Sequence, residues 1–181
     1  FTEMVEKLTQ TWRIVSLYKD EFIVSKTDLK GKLTYINRTF MRISGFPEAE
    51  LLGFPHNVIR HPDMPRGVFK LMWDTLRDGN EFFGYVKNRC KNGGHYWVFA
   101  NITIDYGLDN KPVGYYSVRR KPTPRALDHI IPIYREMLAI EAGSSGKNAV
   151  EASLQFFRNE LARNDTDYLD MMMKIENGEL G

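Results

Sequence analysis

Residues 81–121 read EFFGYVKNRC-KNGG-HYWVFANITIDY-GLDN-KPVGYYSVRRK, which is three apolar-rich runs separated by two polar turns. Side chains alternate with a period of two over 81–90, 95–106 and 113–121, and this alternation is typical of strands. Gly, Asn and Asp in the intervening segments favour tight turns. The stretch therefore predicts three consecutive strands of an antiparallel sheet.

Two more strands and several short helices are predicted upstream. The runs 21–27 and 32–37 are rich in β-forming residues, and Asp28-Leu29-Lys30-Gly31 joins them as a hairpin turn. A short helix follows over 38–44 and ends at Gly45. Two strands, then helices, then three strands predict an α+β domain, with helices gathered on one face of a five-stranded antiparallel sheet.

A polar segment between the two groups of strands is the candidate site. The run His56-Asn57-Val58-Ile59-Arg60-His61-Pro62-Asp63-Met64-Pro65 places two imidazoles, a guanidinium and a carboxylate in a loop stiffened by proline. An amphipathic helix that carries Trp73 follows and ends at Gly79. We expect Asp63 to cap this helix, with Pro65 in its first turn. The alternative is a helix entry whose histidines are incidental.

Amphipathic segments lie on both sides of this domain. Residues 3–18 have apolar side chains at roughly helical spacing. Helical patterns return from Thr123-Pro124 to the end of the chain, interrupted by Pro132 and by the flexible link Gly143-Ser144-Ser145-Gly146. The predicted organisation is an N-terminal helical lead over 1–19, a domain over 20–122, and a C-terminal helical extension over 123–181.

Composition excludes several classes of protein. The chain of 181 residues is 43% hydrophobic and 27% charged, as in soluble globular proteins. No apolar run is long enough to span a bilayer, which predicts no direct membrane insertion. A single cysteine, Cys90, excludes an internal disulfide and agrees with a cytoplasmic location. The net charge of +2 is too small to favour nucleic acid as a partner.

Several motifs of the chain are distinctive: Asn57-x-x-Arg60-His61-Pro62-Asp63-Met64-Pro65, Trp73, Val86-Lys87-Asn88-Arg89 and Asn92-Gly93-x-His95-Tyr96-Trp97-Val98. With the order of strands and helices, they closely resemble the PAS sensory domain of bacterial aerotaxis receptors over about residues 20–121. The resemblance implies a PAS fold and non-covalent binding of FAD, whose redox state such receptors report to the chemotaxis machinery. It therefore implies a redox or oxygen-linked energy sensor rather than an enzyme.

The rest of a membrane receptor is not evident in the sequence. There is neither a transmembrane pattern nor a signalling coiled coil of the usual length. The chain therefore resembles a stand-alone PAS protein of a bipartite energy-taxis system. In such a system the expected partner is a membrane chemoreceptor, to whose arrays the protein is recruited. The apolar stripes of the flanking helices also predict a homodimer or docking onto that partner.

A flavin requires an apolar slot, an amide for its pyrimidine edge, and donors or cations for its phosphates. Asn88 matches the amide that pairs with the flavin edge in related light-sensing domains, and strand alternation directs it towards Tyr96 and Val98. Trp73 is expected to stack on the ring or the adenine. The guanidinium of Arg60 can grip phosphate oxygens. The expected cofactor-binding residues are Trp73, Asn88, Arg60, His61, His56, Asn37, Asp63, Tyr96 and Val98, with no catalytic residue and no metal ligand.

Three other functions stay open from the sequence. Either His56 or His61 could be the axial ligand of a haem in a PAS gas sensor. A cofactor-free PAS module could dimerise through an exposed face that contains Trp97 and Phe99. A small flavin oxidoreductase is a further option, although the chain has no Gly-x-Gly-x-x-Gly fingerprint.

Three residues carry predictions of their own. Cys90 lies on a strand, so we predict that it forms no photochemical adduct with a flavin. Arg119 alternates with neighbours on the last strand and is expected at the surface more than in the pocket. The alternative for Trp73 is a place in the core on one face of its helix.

Overall fold

In residues 15–180, the part of the chain that this computed structural model describes, five strands form one antiparallel sheet. The spatial order is β2-β1-β5-β4-β3, so the last strand in sequence lies in the middle. The predicted α+β fold class is confirmed. The strands are β1 (Ile23–Asp28), β2 (Leu33–Ile36), β3 (Phe82–Arg89), β4 (His95–Tyr106) and β5 (Pro112–Arg120).

The pairing register determines which side chains of the central strand are buried. On β5, Arg119 lies opposite Ile23 of β1 on one side and opposite Ala100 of β4 on the other. Ser117, two residues earlier, lies opposite Ser25 in the same way. Because side chains alternate between the faces of a strand, Ser117 and Arg119 share one face. Ser117 is 8% exposed and Arg119 is 2% exposed, so this is the buried face of β5.

The helices of the described residues begin and end largely where the sequence predicts. Asn37 caps α1, and Gly45 ends it in the left-handed region at φ 72°. None of these helices is long and apolar enough to cross a membrane. Two 3₁₀ turns cover Glu48–Glu50 and His56–Ile59. The α-helices are α1 (Arg38–Ser44), α2 (Arg66–Arg77), α3 (Pro124–Ala142), α4 (Gly146–Arg163) and α5 (Tyr168–Asn177).

The predicted interruption at Pro132 is wrong, because α3 continues through this residue. A proline inside a helix removes one N–H and leaves the carbonyl four residues earlier without its helical partner. That residue is Asp128, which is exposed, as is Pro132 itself. Water can therefore satisfy the freed carbonyl, and the helix tolerates the proline.

Contacts group the described residues into two compact units that interleave along the chain. The sheet unit comprises residues 15–61 and 85–121, and the helical unit comprises 62–84 and 122–180. Strand β3 contributes residues to both. The predicted lead over 1–19 lies mostly outside the described residues; within them, the Val15 amide donates to the carbonyl of His95 at 3.0 Å.

The sheet unit has an apolar core that strands and short helices share. Its larger members include two aromatic rings, Phe40 and Tyr96, and both are almost fully buried. The apolar alternation predicted for the strands is the source of this core. The core residues are Leu17, Ile23, Leu33, Ile36, Phe40, Ile43, Phe46, Leu51, Ile59, Cys90, Tyr96, Val98 and Ala100.

In the helical unit, the buried carboxylate of Glu141 accepts hydrogen bonds from two other helices. Helix α2 begins at Arg66, and Pro65 at its N-cap supplies no side-chain hydrogen bond. Instead, Glu141 near the end of α3 accepts from the backbone amides of Arg66 at 3.0 Å and Gly67 at 2.9 Å. It also accepts from the Ser153 hydroxyl of α4 at 2.7 Å. One side chain therefore joins three helices.

This arrangement corrects the expectation that Asp63 caps α2. Pro65 occupies the cap position, and the acceptor comes from a residue 75 positions away from Arg66. Burial alone would raise the pKa of Glu141, but the donors from Ser153, Arg66 and Gly67 outweigh it and lower that pKa. The carboxylate is therefore held in its charged form.

Gly67 allows α2 to approach the other helices closely. A Cβ at this position would lie 2.4 Å from the Ser153 hydroxyl and 3.1 Å from the backbone nitrogen of Leu154. Both distances are shorter than a normal contact, and the second involves backbone that cannot rotate away. The side chain of any other residue would therefore push α2 away from α4.

Candidate functional site

The sheet unit contains a buried guanidinium. Arg119 is only 2% exposed, so its expected surface position is wrong. Its Nη1 lies 3.0 Å from Nε2 of His56, and its Nη2 donates to the Ser25 hydroxyl. Its Cζ lies 4.9 Å from the centroid of the Phe40 ring, which is a cation–π distance. His56 and Phe40 lie against the guanidinium and account for this burial.

His56 is held neutral beside this cation. A guanidinium can only donate hydrogen bonds, so Nε2 of His56 accepts from Arg119 and the ring proton resides on Nδ1. Burial, and then the positive charge of Arg119, lower the pKa of His56 to about 3. The backbone amide of His56 donates to the Gly31 carbonyl at 2.9 Å, which fixes the start of its 3₁₀ turn. The imidazole is therefore a fixed, uncharged acceptor.

Arg119 keeps its charge without a carboxylate partner. Burial lowers its pKa to about 10, so the guanidinium is still protonated at neutral pH. None of the ion pairs among the described residues includes Arg119. Its Nε has no acceptor within that same part of the chain. Burying an uncompensated charge is unfavourable, so this site is suited to a ligand that supplies acceptors.

Two further polar groups in the same unit are deeply buried. Asn88 on β3 is 3% exposed and Tyr96 on β4 is 1% exposed. Neither the Asn88 Nδ2 nor the Tyr96 hydroxyl makes a hydrogen bond of regular geometry with a described residue. Burial raises the pKa of Tyr96, whereas the charge of Arg119 and the Asn88 amide act to lower it. These influences place Tyr96 within reach of both Arg119 and Asn88.

The chemistry of the three groups suits one edge of a flavin ring. Arg119 Nε–H, Asn88 Nδ2–H and the Tyr96 hydroxyl can all donate, and buried donors are normally satisfied. The pyrimidine edge of a flavin presents carbonyl oxygens and ring nitrogens that accept. Val98 and Ala100, both almost fully buried on β4, supply apolar surface for the ring. The donor set therefore suits a planar ligand rich in acceptors.

The Arg60-His61 run is attached to β3 through its backbone. Arg60 forms an isolated antiparallel bridge with Asn88. The His61 amide donates to the Lys87 carbonyl at 3.4 Å, and its ring lies 5.8 Å from that of His95 at an interplanar angle of 69°. Both Arg60 and His61 are half-buried. The structure thus brings them to the same strand as Asn88, and their role in binding phosphate stays a prediction.

Asn37 has a structural role that accounts for its amide. Its Oδ1 accepts from the backbone amides of Phe40 and Val24, each at 3.1 Å. Its Nδ2 donates to the Phe22 carbonyl at 2.8 Å. These bonds cap α1 and tie it to β1. A contribution of Asn37 to cofactor binding would therefore act through the position of α1.

Two predicted site residues, Asp63 and Trp73, belong to the helical unit. Trp73 is 36% exposed on α2, so the alternative that placed it in the core is wrong. The buried face of α2 is formed by Gly67, Val68, Met72 and Leu76. The roles expected for Asp63 and Trp73 remain predictions from the sequence.

The face of β4 expected to be exposed is covered within the sheet unit. Phe99 is 4% exposed, its ring centroid lies 4.8 Å from that of Tyr85, and the Cζ of Arg120 lies 5.2 Å from its ring. Trp97 is half-buried. Trp97 and Phe99 therefore provide little of the exposed surface through which the cofactor-free alternative would dimerise.

Cys90 has the environment of a core residue. Its thiol donates to the Ile43 carbonyl at 3.3 Å. Burial raises the pKa of this thiol to about 11, which keeps it protonated and unreactive at neutral pH. These properties support the prediction that Cys90 forms no flavin adduct.

Sequence reasoning missed Ser25 and Arg119. The signal available was alternation, because Ser117 and Arg119 share one face of a strand that ends with two consecutive arginines. What the sequence did not reveal was that this face of β5 meets His56 and Phe40, which are distant in sequence.

A family model described as the PAS fold matches residues 33–119. A solved light-oxygen-voltage domain, studied with a flavin analogue, superposes with a TM-score of 0.54 at 16% identity. The superposition covers 74% of this chain and 95% of that one. At this identity the likeness concerns the fold alone.

Two curated relatives are sensory or regulatory proteins. The aerotaxis receptor of Escherichia coli (strain K12) is 43% identical over 131 residues, which is 72% of this chain and 25% of the receptor. The nitrogen fixation regulatory protein of Klebsiella pneumoniae is 32% identical over 80 residues, which is 44% of this chain and 16% of the regulator. The chain thus spans about a quarter or less of the length of these relatives.

Proposed function

Residues 33–119 of this chain form a PAS domain, and on that premise we propose that the protein is a cytoplasmic redox or oxygen-linked energy-taxis sensor that binds FAD. The observation that carries the proposal is a set of three buried polar groups, on Arg119, Asn88 and Tyr96, that have no hydrogen-bond partner of regular geometry within residues 15–180. Donors of this kind are costly to bury without acceptors. A flavin edge supplies those acceptors, and a core side chain does not.

The comparisons support a flavin as the ligand class. The relative of highest stated identity is an aerotaxis receptor, and a protein of the same fold has been studied with a flavin analogue. When bound, FAD would supply reversible electron transfer. The residues of the chain would bind and orient the ring and keep water from it. Asn88, Tyr96 and Arg119 would hold the pyrimidine edge, and Arg60 and His61 the phosphates.

The proposal is for a sensor and not for an enzyme. The imidazole of His56 is engaged by Arg119 and stays neutral, so it is poorly suited to exchanging protons with a substrate. The Cys90 thiol is buried and protonated, so it is poorly suited to act as a nucleophile. These two groups therefore favour binding over catalysis.

The output is proposed to leave through the helical unit. The chain runs directly from Arg60 and His61 into α2, whose first amides are held by Glu141 of α3. A shift of Arg60 and His61 would thus be passed along the backbone to α2, which the hydrogen bonds of Glu141 join to α3 and α4. The proposed recipients are a second copy of the chain and a membrane chemoreceptor, to whose arrays the protein is recruited.

The visible spectrum of the purified protein tests this function. Yellow flavin absorption bands, bleached by dithionite and restored by air, are expected. A Soret band would instead support the haem alternative, although Arg119 already occupies the Nε2 of His56. Absence of colour after incubation with FAD would support the cofactor-free module. Rapid turnover of NADH with a loosely held flavin would support an oxidoreductase.

A further inference from the structure

The side chains that contact the guanidinium of Arg119 do not balance its positive charge. His56, Ser25 and Phe40 give the guanidinium two neutral acceptors and an aromatic face, but no negative charge. Tyr96 is the other titratable group whose charge state influences it, and burial keeps that phenol neutral at physiological pH. The interior of the sheet unit therefore contains one uncompensated positive charge among these residues.

A structural role does not by itself account for such a residue. Burying a charge that no opposite charge balances is costly, and a neutral donor could bond Ser25 and His56 without that cost. The bonds to Ser25 and His56 also use only some of the N–H donors of Arg119, and its Nε has no acceptor among the described residues. A cation held ready in this way is suited to a ligand whose negative charge varies.

We propose that Arg119 is the counter-charge that makes this site bind reduced flavin more tightly than oxidised flavin. The inference rests on the proposed function and adds a redox role for a single residue. Two-electron reduction takes two electrons from a solution reductant and one proton from water, and it leaves the ring with one net negative charge. The guanidinium stabilises that charge in a medium of low polarity. His56, as a neutral acceptor, fixes the direction of the guanidinium.

Three variants of the full chain test the proposal. Arg119→Gln removes the charge, Arg119→Lys keeps it, and Arg120→Gln changes the exposed arginine next to it on the same strand. Oxidised FAD, and FAD reduced anaerobically with dithionite, are titrated separately into flavin-free protein. The quantity compared is the ratio of the two dissociation constants.

The expected result is specific to the charge. The preference for reduced FAD should fall at least tenfold in Arg119→Gln, which corresponds to about 30 mV for a two-electron couple. It should stay within about threefold of wild type in Arg119→Lys and in Arg120→Gln, because these keep the buried charge. If Arg119→Gln binds neither form of FAD, the ratio in Arg119→Lys is used instead. A ratio within about threefold of wild type supports the inference, and a fall of tenfold or more overturns it.

Several outcomes would overturn the inference. An unchanged ratio in Arg119→Gln would remove the redox role, and an equal loss in Arg119→Lys would remove the role of charge. Wild-type protein that binds FAD in neither form would instead refute the proposed function. The two failures are therefore distinguishable.

A measurement without flavin gives an independent test. If Arg119 is held for a ligand, flavin-free Arg119→Gln should have a urea midpoint equal to or higher than that of wild type, because it removes the buried charge but keeps a side-chain donor. A clearly lower midpoint, with Arg120→Gln unchanged, would show that Arg119 is a structural residue and would overturn the inference.

Discussion

His56 shows how one buried contact makes stability depend on pH. Burial and the charge of Arg119 hold its pKa at about 3 in the folded protein, whereas an unfolded chain has a value of about 6.5. Below pH 6.5 the unfolded state binds a proton that the folded state does not. Stability is therefore complete above pH 6.5 and is lost as the pH falls towards 3. At pH 5 the loss is about 2 kcal/mol.

Urea denaturation at pH 7.5 and pH 5 tests this prediction. His56→Gln keeps an acceptor for Arg119 but cannot titrate, so its free energy of unfolding should change less between the two pH values. The difference from wild type should be about 2 kcal/mol. His129→Gln on α3 is the matched control and should behave as wild type. The same pH dependence in His56→Gln and wild type would contradict the assignment.

At the residue scale, the sequence predicted buried side chains whose position follows from alternation along their own strand. Asn88 follows from strand alternation and from the resemblance, and the structure places it in the interior next to β4. Arg119 could not be found in that way. Its burial depends on contacts of its side chain with His56 and Phe40, which are distant from it in sequence.

At the scale of helices, Glu141 is the residue whose loss should matter most in the helical unit. Glu141→Ala removes the acceptor for two backbone amides of α2 and for the Ser153 hydroxyl. Leaving such donors unsatisfied costs about 1–3 kcal/mol. We expect a loss of that size in the free energy of unfolding, measured by urea denaturation at neutral pH.

The matched control for Glu141→Ala is Glu136→Ala, at an exposed position of the same helix. It should change the free energy of unfolding by less than about 0.5 kcal/mol. If the two variants lose equal stability, the bonds of Glu141 are not what fastens α2. Hydrogen exchange at the Arg66 and Gly67 amides provides a local reading of the same effect.

The two errors at this scale have different causes. Asp63 was a reasonable cap by local spacing, but the bond comes from Glu141, and local sequence carries no signal for a partner so distant. Pro132 was a reasonable helix end, but its surroundings are exposed to water and the helix continues. The boundaries of α1 and of the strands depend on local turns and caps, and these were predicted closely.

At the scale of the whole molecule, the chain combines a PAS domain with C-terminal helices. The order of elements was sufficient to predict the α+β class, because two strands, helices and three strands leave few ways to build an antiparallel sheet. The interleaving of the two units was not predictable. Residues 62–84 lie in sequence between β2 and the middle of β3, yet they group with the C-terminal helices.

This grouping bears on how a sensor would work. Helix α2 follows the Arg60-His61 run in sequence, and Glu141 joins it to α3 and α4. The proposed signal therefore needs only the connected backbone and one carboxylate to reach the C-terminal helices. Glu141→Ala should accordingly interrupt signalling to the partner without loss of FAD.

The most direct test is titration of flavin-free protein with FAD, followed by flavin fluorescence and by absorbance after gel filtration. The account predicts that one FAD binds per chain. Asn88→Ala should bind FAD about tenfold more weakly or worse, because it removes a buried donor to the ring. Asn80→Ala, at an exposed position just before the same strand, should bind as wild type. Absence of FAD binding by the wild-type chain, or equal binding by Asn88→Ala, would contradict the account.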